Sequence, residues 1–494
     1  MSPRQDLLKT TAFFFSPEKP RDKFLLITRI ALLVCLFTSI ALVLYGSFSN
    51  RPYPFTRFTS LNQKIGSEQP PDNAPTNISH LLFGIGGSAK TWKERRAVCS
   101  LWWHVDSTLG FFWFDEKPED NGIVNGYHTE TAISLPYRIS SPEWTRFKYS
   151  SSRHAVRIAR IIWDSFNLKL PNVRWFVMGD DDTVFFTHNL VSVLARYDHR
   201  EMWYIGGISE SVEQNVMHAY DMAFGGGGFA VSYPLAEKLV KVLDGCLERY
   251  FHFYGSDQRI WACISEIGVP LTKEPGFHQF DVRGDPYGLL AAHPMTPLVS
   301  LHHLDGLMPM FPNKTRIDSL KTLIRAYRVD PGRILQQSFC YDSKRKWSFV
   351  ISWGYTIQIY PWFVTAFDLH MPLQTFKTWK TWSNGPFTFN TRPMSADRCE
   401  WPIVYFLDQV EEVGISGTRT RYKLAKSEEF CNRADYALVM AVNNITVSSM
   451  KMALDYWKKA PHRQCCEIME KGSIKSGSML IRIRNCRKLE TTTI

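Results

Sequence analysis

The segment WFVMGDDDTVFF, residues 175–186, places three consecutive aspartates directly after a run of apolar residues. Adjacent carboxylates repel each other, so their charge must be compensated by a cation or by hydrogen-bond donors. In an extended chain Asp180 and Asp182 point to the same side, where two carboxylates can share a divalent cation. Hard oxygen ligands favour Mg2+ or Mn2+, and such an ion can hold a diphosphate and stabilise a departing nucleotide. Asp181 then faces elsewhere, and a ribose hydroxyl is a ligand that suits its chemistry.

Two other interpretations of this motif stay open from these residues alone. Aspartate is favoured in turns and at helix N-caps, so the run could be a turn that caps the next helix. The string MGDDDTV also fits the D-x-D-x-[TV] pattern of haloacid-dehalogenase-type phosphatases, with Asp180 as nucleophile and Asp182 as acid. Those enzymes usually carry the motif on their first strand, whereas residues 78–179 of the domain precede it here.

Strand-like and helix-like segments alternate from residue 80 onward. Strand signals occur in HLLFGIG, GFFWFD, VRWFVMG, WYIGG and GGFAVS, and helix signals occur in AKTWKERRAVCSLWW, RHAVRIARIIWDSFNL, NLVSVLARY and PLAEKLVKVLDGCL. This alternation predicts an α/β domain with a mostly parallel sheet over residues 78–318. Ligands of such sheets collect beyond the carboxyl ends of the strands, which is where the three aspartates lie.

The pattern changes after about residue 330. In WSFVISWGYTIQIY, residues 347–360, large apolar side chains occupy every second position, which is typical of half-buried strands. Six of the nine cysteines that follow Cys35 lie in this part of the chain. We therefore predict a β-rich, disulfide-braced accessory domain over residues 319–494, which either helps to bind a polysaccharide or, as we favour, is purely structural.

The N-terminus predicts a membrane anchor. Residues 30–46 are uncharged, and several basic side chains precede them, so the tail at 1–23 is expected to stay cytosolic and 24–46 to form a single transmembrane helix. A cleaved signal peptide is the alternative. The proline-rich residues 47–77 are typical of an extended stem. Lumenal placement agrees with three N-glycosylation tripeptides, at Asn77, Asn313 and Asn444.

The composition narrows the classes of function further. The chain of 494 residues carries a formal charge of +11, which suits anionic small molecules or membrane surfaces. It contains no run of basic residues interleaved with aromatics, so we do not expect it to bind nucleic acid. There is no C-x-x-C pair, and a zinc site is not indicated.

Five motifs, in this order, resemble those of the fringe-related glycosyltransferases of glycosyltransferase family 31. They are KERRAVCSLWW, WFVMGDDDTVFF, FGGGGFA, YGSDQRIWAC and PLVSLHHLD. Over residues 78–318 the sequence is most similar to a plant family of fringe-like proteins with unassigned function. The resemblance implies a nucleotide-diphospho-sugar transferase (GT-A-like) fold, a mixed sheet flanked by helices. It also implies a Mn2+-dependent, Golgi-resident, inverting enzyme of type II membrane topology.

The same resemblance assigns the principal site residues. Asp257 matches the catalytic base, which deprotonates the acceptor hydroxyl, although Ser256 or Asp257 could instead cap the helix that follows. His302 matches the third metal ligand beside Asp180 and Asp182, with His303 as the alternative.

Further residues are assigned with less support from the motifs. Gly226 and Gly227, within the glycine-rich segment, are expected beside the donor, or they simply form a bulge or a turn. Asp181 and Arg96, or Arg95 in its place, are expected to contact the donor nucleotide and its phosphates. His278 is expected to shape the acceptor side. Cys263 matches a cysteine that the family tends to pair, and Cys246 is a nearby partner.

We therefore predict a Golgi glycosyltransferase that moves a sugar from a UDP-sugar to a hydroxyl of a glycan or glycoprotein, with a β1,3-linkage implied by the resemblance. Mn2+ is the expected cofactor, and Mg2+ the alternative. The competing hypotheses are the phosphatase and a non-catalytic lumenal carbohydrate-binding protein. The sequence names neither the donor sugar nor the acceptor, and it leaves oligomerisation open.

Overall fold

The computed structural model describes residues 28–41, 74–119, 123–124, 127–128, 135–150, 152–425, 431–453, 455–469 and 477–493. The predicted cytosolic tail and residues 47–73 of the predicted stem lie outside these ranges. Residues 28–41 form helix α1, whose large apolar side chains are all more than 45% exposed. In the described part of the chain, no helix combines the length and the apolar character needed to cross a membrane. Residues 24–27 and 42–46 of the predicted anchor are outside the described ranges.

The first half of the compact unit Ala74–Ile494 is built on a seven-stranded sheet. The strands up to residue 301 are β1 (Leu81–Gly86), β2 (Leu109–Phe114), β3 (Ile123–Val124), β4 (Tyr127–His128), β5 (Tyr137–Ile139), β6 (Trp175–Asp180), β7 (Val184–Phe185), β8 (Tyr204–Gly206), β9 (Phe229–Ser232), β10 (Leu271–Lys273), β11 (Phe277–His278), β12 (Val282–Gly284) and β13 (Ser300–Leu301). The central sheet has the order β10-β8-β9-β6-β1-β2-β5. All its neighbours are parallel except β9, which runs antiparallel to both β6 and β8. The sheet is therefore mixed.

The helices of this part of the chain are α2 (Trp92–Trp102), α3 (Arg153–Phe166), α4 (Thr187–Leu194), α5 (Val212–Met217), α6 (Tyr233–Arg249), α7 (Ser256–Ile267), α8 (Tyr287–Ala291) and α9 (Arg316–Val329). Of these, α3 and α6 pack directly against strands of the sheet. The helical spacing predicted for α3 is confirmed, because Val156, Ile161 and Ile162 are buried against the sheet. The disulfide Cys246–Cys263 joins α6 to α7, as the resemblance suggested.

The C-terminal part forms a second sheet of eight strands. Its elements are β14 (Gln337–Asp342), β15 (Trp347–Ser352), β16 (Thr356–Tyr360), α10 (Ala366–Leu369), β17 (Leu373–Gln374), β18 (Phe376–Thr378), β19 (Arg392–Pro393), β20 (Ile403–Val413), β21 (Gly417–Leu424), α11 (Ala434–Met440), β22 (Asn444–Met450), β23 (Cys465–Met469) and β24 (Ser478–Arg484). The order β14-β15-β16-β20-β21-β22-β24-β23 makes β14 and β23 the edges, and the Cys340–Cys466 disulfide joins these two strands. Cys399–Cys431 and Cys465–Cys486 add two further bridges. The predicted β-rich, disulfide-braced character is confirmed.

The two sheets share one apolar core. A single cluster of buried side chains includes Phe83 and Val177 of the first sheet together with Ile357 and Tyr405 of the second. Strand β18 of the C-terminal part also pairs with β12, so this part reaches back to the loops at the end of the first sheet. The boundary predicted at residues 318 and 319 stays a prediction.

Candidate metal and donor site

The aspartate motif turns sharply at the end of β6. The Asp180 N–H donates to Thr183 Oγ1 (2.9 Å), and the Thr183 hydroxyl donates to the carbonyl of Gly226 (2.7 Å). Strand β7 then pairs antiparallel with β13, with Val184 opposite Leu301. This register brings His302, the residue after β13, beside the acids.

Asp180, Asp182 and His302 form a cluster with the chemistry of a metal site. One ligand atom from each of the three lies within 4.8 Å of the other two. His302 Nε2 is 3.1 Å from Asp182 Oδ1 and 3.9 Å from Asp180 Oδ2. Two carboxylate oxygens and one imidazole nitrogen are a donor set that Mn2+ and Mg2+ can accept.

Positive charges of the chain compensate the acids at this site. Arg95 of α2 forms an ion pair with Asp182 and a second one, of 2.9 Å, with Asp305. Although burial alone would raise it, the positive charges of His302 and Arg95 hold the pKa of Asp182 well below its usual range. Burial opposes the protonation of His302, yet the carboxylates of Asp182 and Asp180 raise its pKa to about 9. His302 would have to lose this proton before its nitrogen could bind a metal ion, so metal binding at this cluster would release a proton.

The two remaining acids of the motif are harder to ionise. Desolvation, to which the charges of Asp182 and Asp257 add, raises the pKa of Asp180 to about 6. Desolvation, reinforced by both neighbouring aspartates, raises the pKa of Asp181 to about 7. Burial next to apolar strands, together with the like charges held close by, accounts for both upward shifts in pKa. A bound cation would lower both pKa values, because it favours the ionised form of the carboxylates.

Asp181 is separated from the metal cluster and faces the loop after β1. It is 8% exposed, and within the described chain its Oδ2 has no hydrogen-bond partner. A side chain at Gly87 would collide with this carboxylate and with the ring of Phe114, so the glycine allows the loop after β1 to pack closely against Asp181. A buried oxygen without a donor is unfavourable unless a ligand supplies one.

Asp257 lies in the first turn of α7 and faces the end of β6. Its Oδ2 accepts a hydrogen bond from the Gly225 N–H (3.1 Å), and its Oδ1 accepts one from the Gln258 N–H (2.9 Å). Gly255 takes the N-cap position of the helix. Asp180, Gly225 and Asp257 line one cleft together, so the predicted base shares this cleft with one of the three predicted metal ligands.

The glycine-rich segment has a packing role at this site. A side chain at Gly226 would overlap the imidazole ring of His302. The Gly227 N–H donates to Gln279 Oε1 (2.6 Å), and both glycines are buried. Gly225 is the member of the segment that lines the cleft. The donor contacts predicted for Gly226 and Gly227 stay a prediction.

We expect Gly226→Ala to damage the metal site by steric overlap. The added methyl group has to displace His302, and overpacking of this kind costs about 1–3 kcal/mol of stability. Chemical denaturation, together with titration of Mn2+, measures both effects. Gly245→Ala in α6 is the matched control, because its methyl group would meet only the end of the Arg249 side chain at an ordinary contact distance. Equal stability and equal Mn2+ affinity in the two variants would contradict this prediction.

Other predicted residues lie near the cluster but make different contacts. Arg95 makes the contact with Asp182, and the role predicted for Arg96 stays a prediction. His303 Nδ1 lies 3.1 Å from Asp281, whose other oxygen accepts from the Ser209 hydroxyl (2.6 Å). His278 is buried beside Glu210 and lines a separate cavity of about 560 Å³.

Some residues of the site could not be found by motif. Asp281 is 2% exposed and contacts His303. In the sequence it is marked only by its place at the end of GFHQFD, which indicates no role for it. Trp379 stacks on His303, with ring centroids 4.4 Å apart and planes at 3°. It follows His303 at no regular spacing, so only the tertiary structure places it here.

Comparison with known families agrees with this geometry. A family model described as "Fringe-like" matches residues 82–338, and a second, described as "Protein of unknown function, DUF604", matches residues 214–466. Each match covers more than half of the chain, and the protein therefore belongs to the Fringe-like family and carries the DUF604 region. The predicted kinship with fringe-related proteins of glycosyltransferase family 31 is confirmed, and the phosphatase alternative loses its support because the aspartate motif lies inside the Fringe-like match.

Curated relatives match a shorter part of the chain. A β-1,3-glucosyltransferase of Homo sapiens and one of Mus musculus are each 27% identical to it over 131 residues, which is 26% of this chain. The chain spans about a quarter of the length of these relatives, 24% and 25% respectively.

Two solved structures are similar at low identity. The mannosyltransferase from Pyrobaculum calidifontis in complex with GDP-Man and Mn2+ is 14% identical, covers 43% of this chain and 59% of its own, and has a TM-score of 0.25. A glycosyltransferase involved in glycosylation of the major capsid of PBCV-1 is 13% identical, covers 50% of this chain and 98% of its own, and has the same TM-score. At this TM-score the likeness carries no inference about the present chain.

Proposed function

We propose that the protein is an inverting glycosyltransferase that moves a sugar from a UDP-sugar to a hydroxyl of a glycan or glycoprotein. The observation that carries this proposal is that Asp257 lines one cleft with Asp180, which also belongs to the cluster formed with Asp182 and His302. Membership of the Fringe-like family supports the transfer chemistry. The likeness to the two β-1,3-glucosyltransferases supports a β1,3-linkage and makes UDP-glucose the first donor to test.

The donor end of the site binds the nucleotide diphosphate. Asp180, Asp182 and His302 would hold a divalent cation, Mn2+ or alternatively Mg2+, which would supply positive charge to compensate the negative charge of the leaving UDP. Arg95 exchanges its ion pair with Asp182 for one with a donor phosphate. Arg96, the next residue of α2, is the second basic residue assigned to the donor phosphates. The unpartnered Oδ2 of Asp181 accepts a hydrogen bond from the nucleotide, for which a ribose hydroxyl has the right chemistry.

Asp257 acts as the general base. Its carboxylate takes the proton of the acceptor hydroxyl while the hydroxyl oxygen attacks the anomeric carbon of the donor from the face opposite the diphosphate. The bond between that carbon and the diphosphate oxygen breaks, and UDP leaves with the electron pair. The Gly225 and Gln258 N–H groups hold the carboxylate in place through its two oxygens, which fixes its direction before the substrate arrives.

We place the protein in the Golgi membrane as a single-pass type II protein with its catalytic part in the lumen. The uncharged residues 30–46 and the exposed apolar surface of α1 support an anchor. Four disulfides support an oxidising compartment. Asn313 lies exposed on a turn, where it is accessible to glycosylation.

A donor screen tests the proposal most directly. The purified protein is incubated with each of a set of UDP-sugars, and release of UDP is measured with Mn2+ and with a chelator. We expect one donor to be hydrolysed slowly in a Mn2+-dependent reaction, because water can replace the missing acceptor. If Mn2+ fails to promote release from every donor, and UDP itself does not bind, the chain is a non-catalytic carbohydrate-binding protein and the proposal is wrong.

A further inference from the structure

Trp382 of the C-terminal part combines an exposed side chain with an unfavourable backbone conformation. Its φ is 55°, in the left-handed region that bulky side chains rarely adopt. The residue is 57% exposed, so burial of its ring does not offset this conformation. Residues held in such conformations concentrate at ligand sites, where the surrounding structure enforces them.

The turn that carries Trp382 is firmly built. The Thr378 N–H donates to the carbonyl of Ser383 (3.0 Å), and the Ser383 N–H donates back to the Thr378 hydroxyl (3.0 Å). The turn is also anchored to α5, because the carboxylate of Glu213 accepts hydrogen bonds from the Lys380 N–H and from the Thr381 hydroxyl. The backbone that carries Trp382 is therefore held in place.

A row of stacked groups connects this turn to the candidate metal site. The ring of His303 lies 3.9 Å from that of His302 and is parallel to Trp379. The guanidinium of Arg283 lies 3.7 Å from the ring centre of Trp379 and 5.6 Å from that of Trp382. Arg283 itself is on β12, which pairs with β18 immediately before the turn. The Trp382 turn is thus a continuation of the catalytic surface, supplied by the C-terminal part.

We propose that Trp382 and Arg283 form a sugar-binding subsite for the acceptor glycan; this inference rests on the proposed transferase function. A pyranose ring has an apolar C–H face and a rim of hydroxyls, and the flat face of an indole suits the former. The guanidinium of Arg283, beside the indole, offers several N–H donors to the hydroxyls.

The surroundings of Trp382 favour a glycan over a protein partner. Lys380, Thr381 and Asn384, which flank it in the turn, are exposed and polar. A protein or membrane interface would require a larger continuous apolar patch. One sugar unit of an acceptor can bind to a single aromatic ring that has a cation beside it and is connected to the catalytic cleft.

The test uses the full-length protein labelled with 5-fluorotryptophan. The fluorine signal that disappears in Trp382→Phe identifies the residue. The sample is titrated with β-linked gluco-, galacto-, xylo- and manno-oligosaccharides, and we expect at least one series to shift that signal in a saturable manner. The oligosaccharide that shifts the signal is then used as the acceptor. Trp382→Ala should raise the KM for this acceptor about tenfold and leave Mn2+-dependent UDP binding unchanged. Phe367→Ala removes another exposed aromatic of the C-terminal part, 69% exposed, and should change neither.

The outcomes separate this inference from the proposed function. If UDP binds with Mn2+ but no oligosaccharide shifts the Trp382 signal, the subsite is wrong and the transferase proposal stands. If the signal shifts but UDP does not bind, the subsite is supported and the transferase proposal is wrong. If Trp382→Ala converts a dimer into a monomer in sedimentation, the residue belongs to an interface between copies and the inference is overturned.

Discussion

Replacing Asp182 by alanine is expected to weaken Mn2+ binding by more than about 100-fold, beyond the loss that follows removal of an outer-shell partner. Asp182 is the acid that contacts both His302 and Arg95, so its loss removes a ligand and also the carboxylate nearest to the buried imidazole of His302. Electron paramagnetic resonance of free Mn2+ measures the affinity directly, without any need for a known donor or acceptor.

Asp305→Asn is the matched control for that measurement. Asp305 also pairs with Arg95, at 2.9 Å, but it does not belong to the cluster that can hold the metal. We expect its Mn2+ affinity to stay close to that of the unmodified protein. Comparable losses in the two variants would mean that the negative charge around Arg95, and not coordination by Asp182, determines the affinity.

Replacing Asp257 by alanine is expected to reduce sugar transfer by about 10²- to 10⁴-fold, the usual contribution of a general base. Mn2+-dependent UDP binding should be retained, because Asp257 contacts backbone N–H groups of Gly225 and Gln258 and none of the three predicted metal ligands. The rate with the donor and acceptor found in the screens measures the first effect, and calorimetry with UDP measures the second.

Glu266→Gln in the same helix controls for general effects on α7. Its carboxylate forms an exposed ion pair with Arg249, remote from the cleft, and its loss should leave transfer unchanged. Intact transfer by Asp257→Ala would show that another group is the base. Loss of UDP binding by that variant would show that Asp257 supports the donor site instead.

The sequence placed Asp180 and Asp182 together, but for a different reason from the one the structure shows. The expected alternation of an extended chain is replaced by a turn after β6, in which the Thr183 N–H donates to the Asp180 carbonyl (3.0 Å). The position of His302 could not be predicted locally, because its place beside Asp182 depends on the antiparallel pairing of β7 with β13. The family motif, and not spacing, pointed to it.

The parts of the site that sequence reasoning missed depend on long-range packing. Nothing in FGGGGFA indicates that Gly226 is needed to make room for the ring of His302, which lies 76 positions later. Trp379 and Trp382 lie in the C-terminal part, for which a structural role was favoured, and their contact with the catalytic surface arises from the pairing of β12 with β18. The antiparallel β9 inside an otherwise parallel sheet was likewise beyond the alternation of strands and helices.

The central claim is that Asp180, Asp182 and His302 hold a metal that binds a nucleotide diphosphate. Calorimetric titration of UDP into the purified protein, with Mn2+ and then with a chelator, tests it most directly. The account predicts that Mn2+ tightens UDP binding by at least about tenfold, which corresponds to about 1.4 kcal/mol. Equal affinity for UDP with and without Mn2+, or no binding in either case, would contradict it.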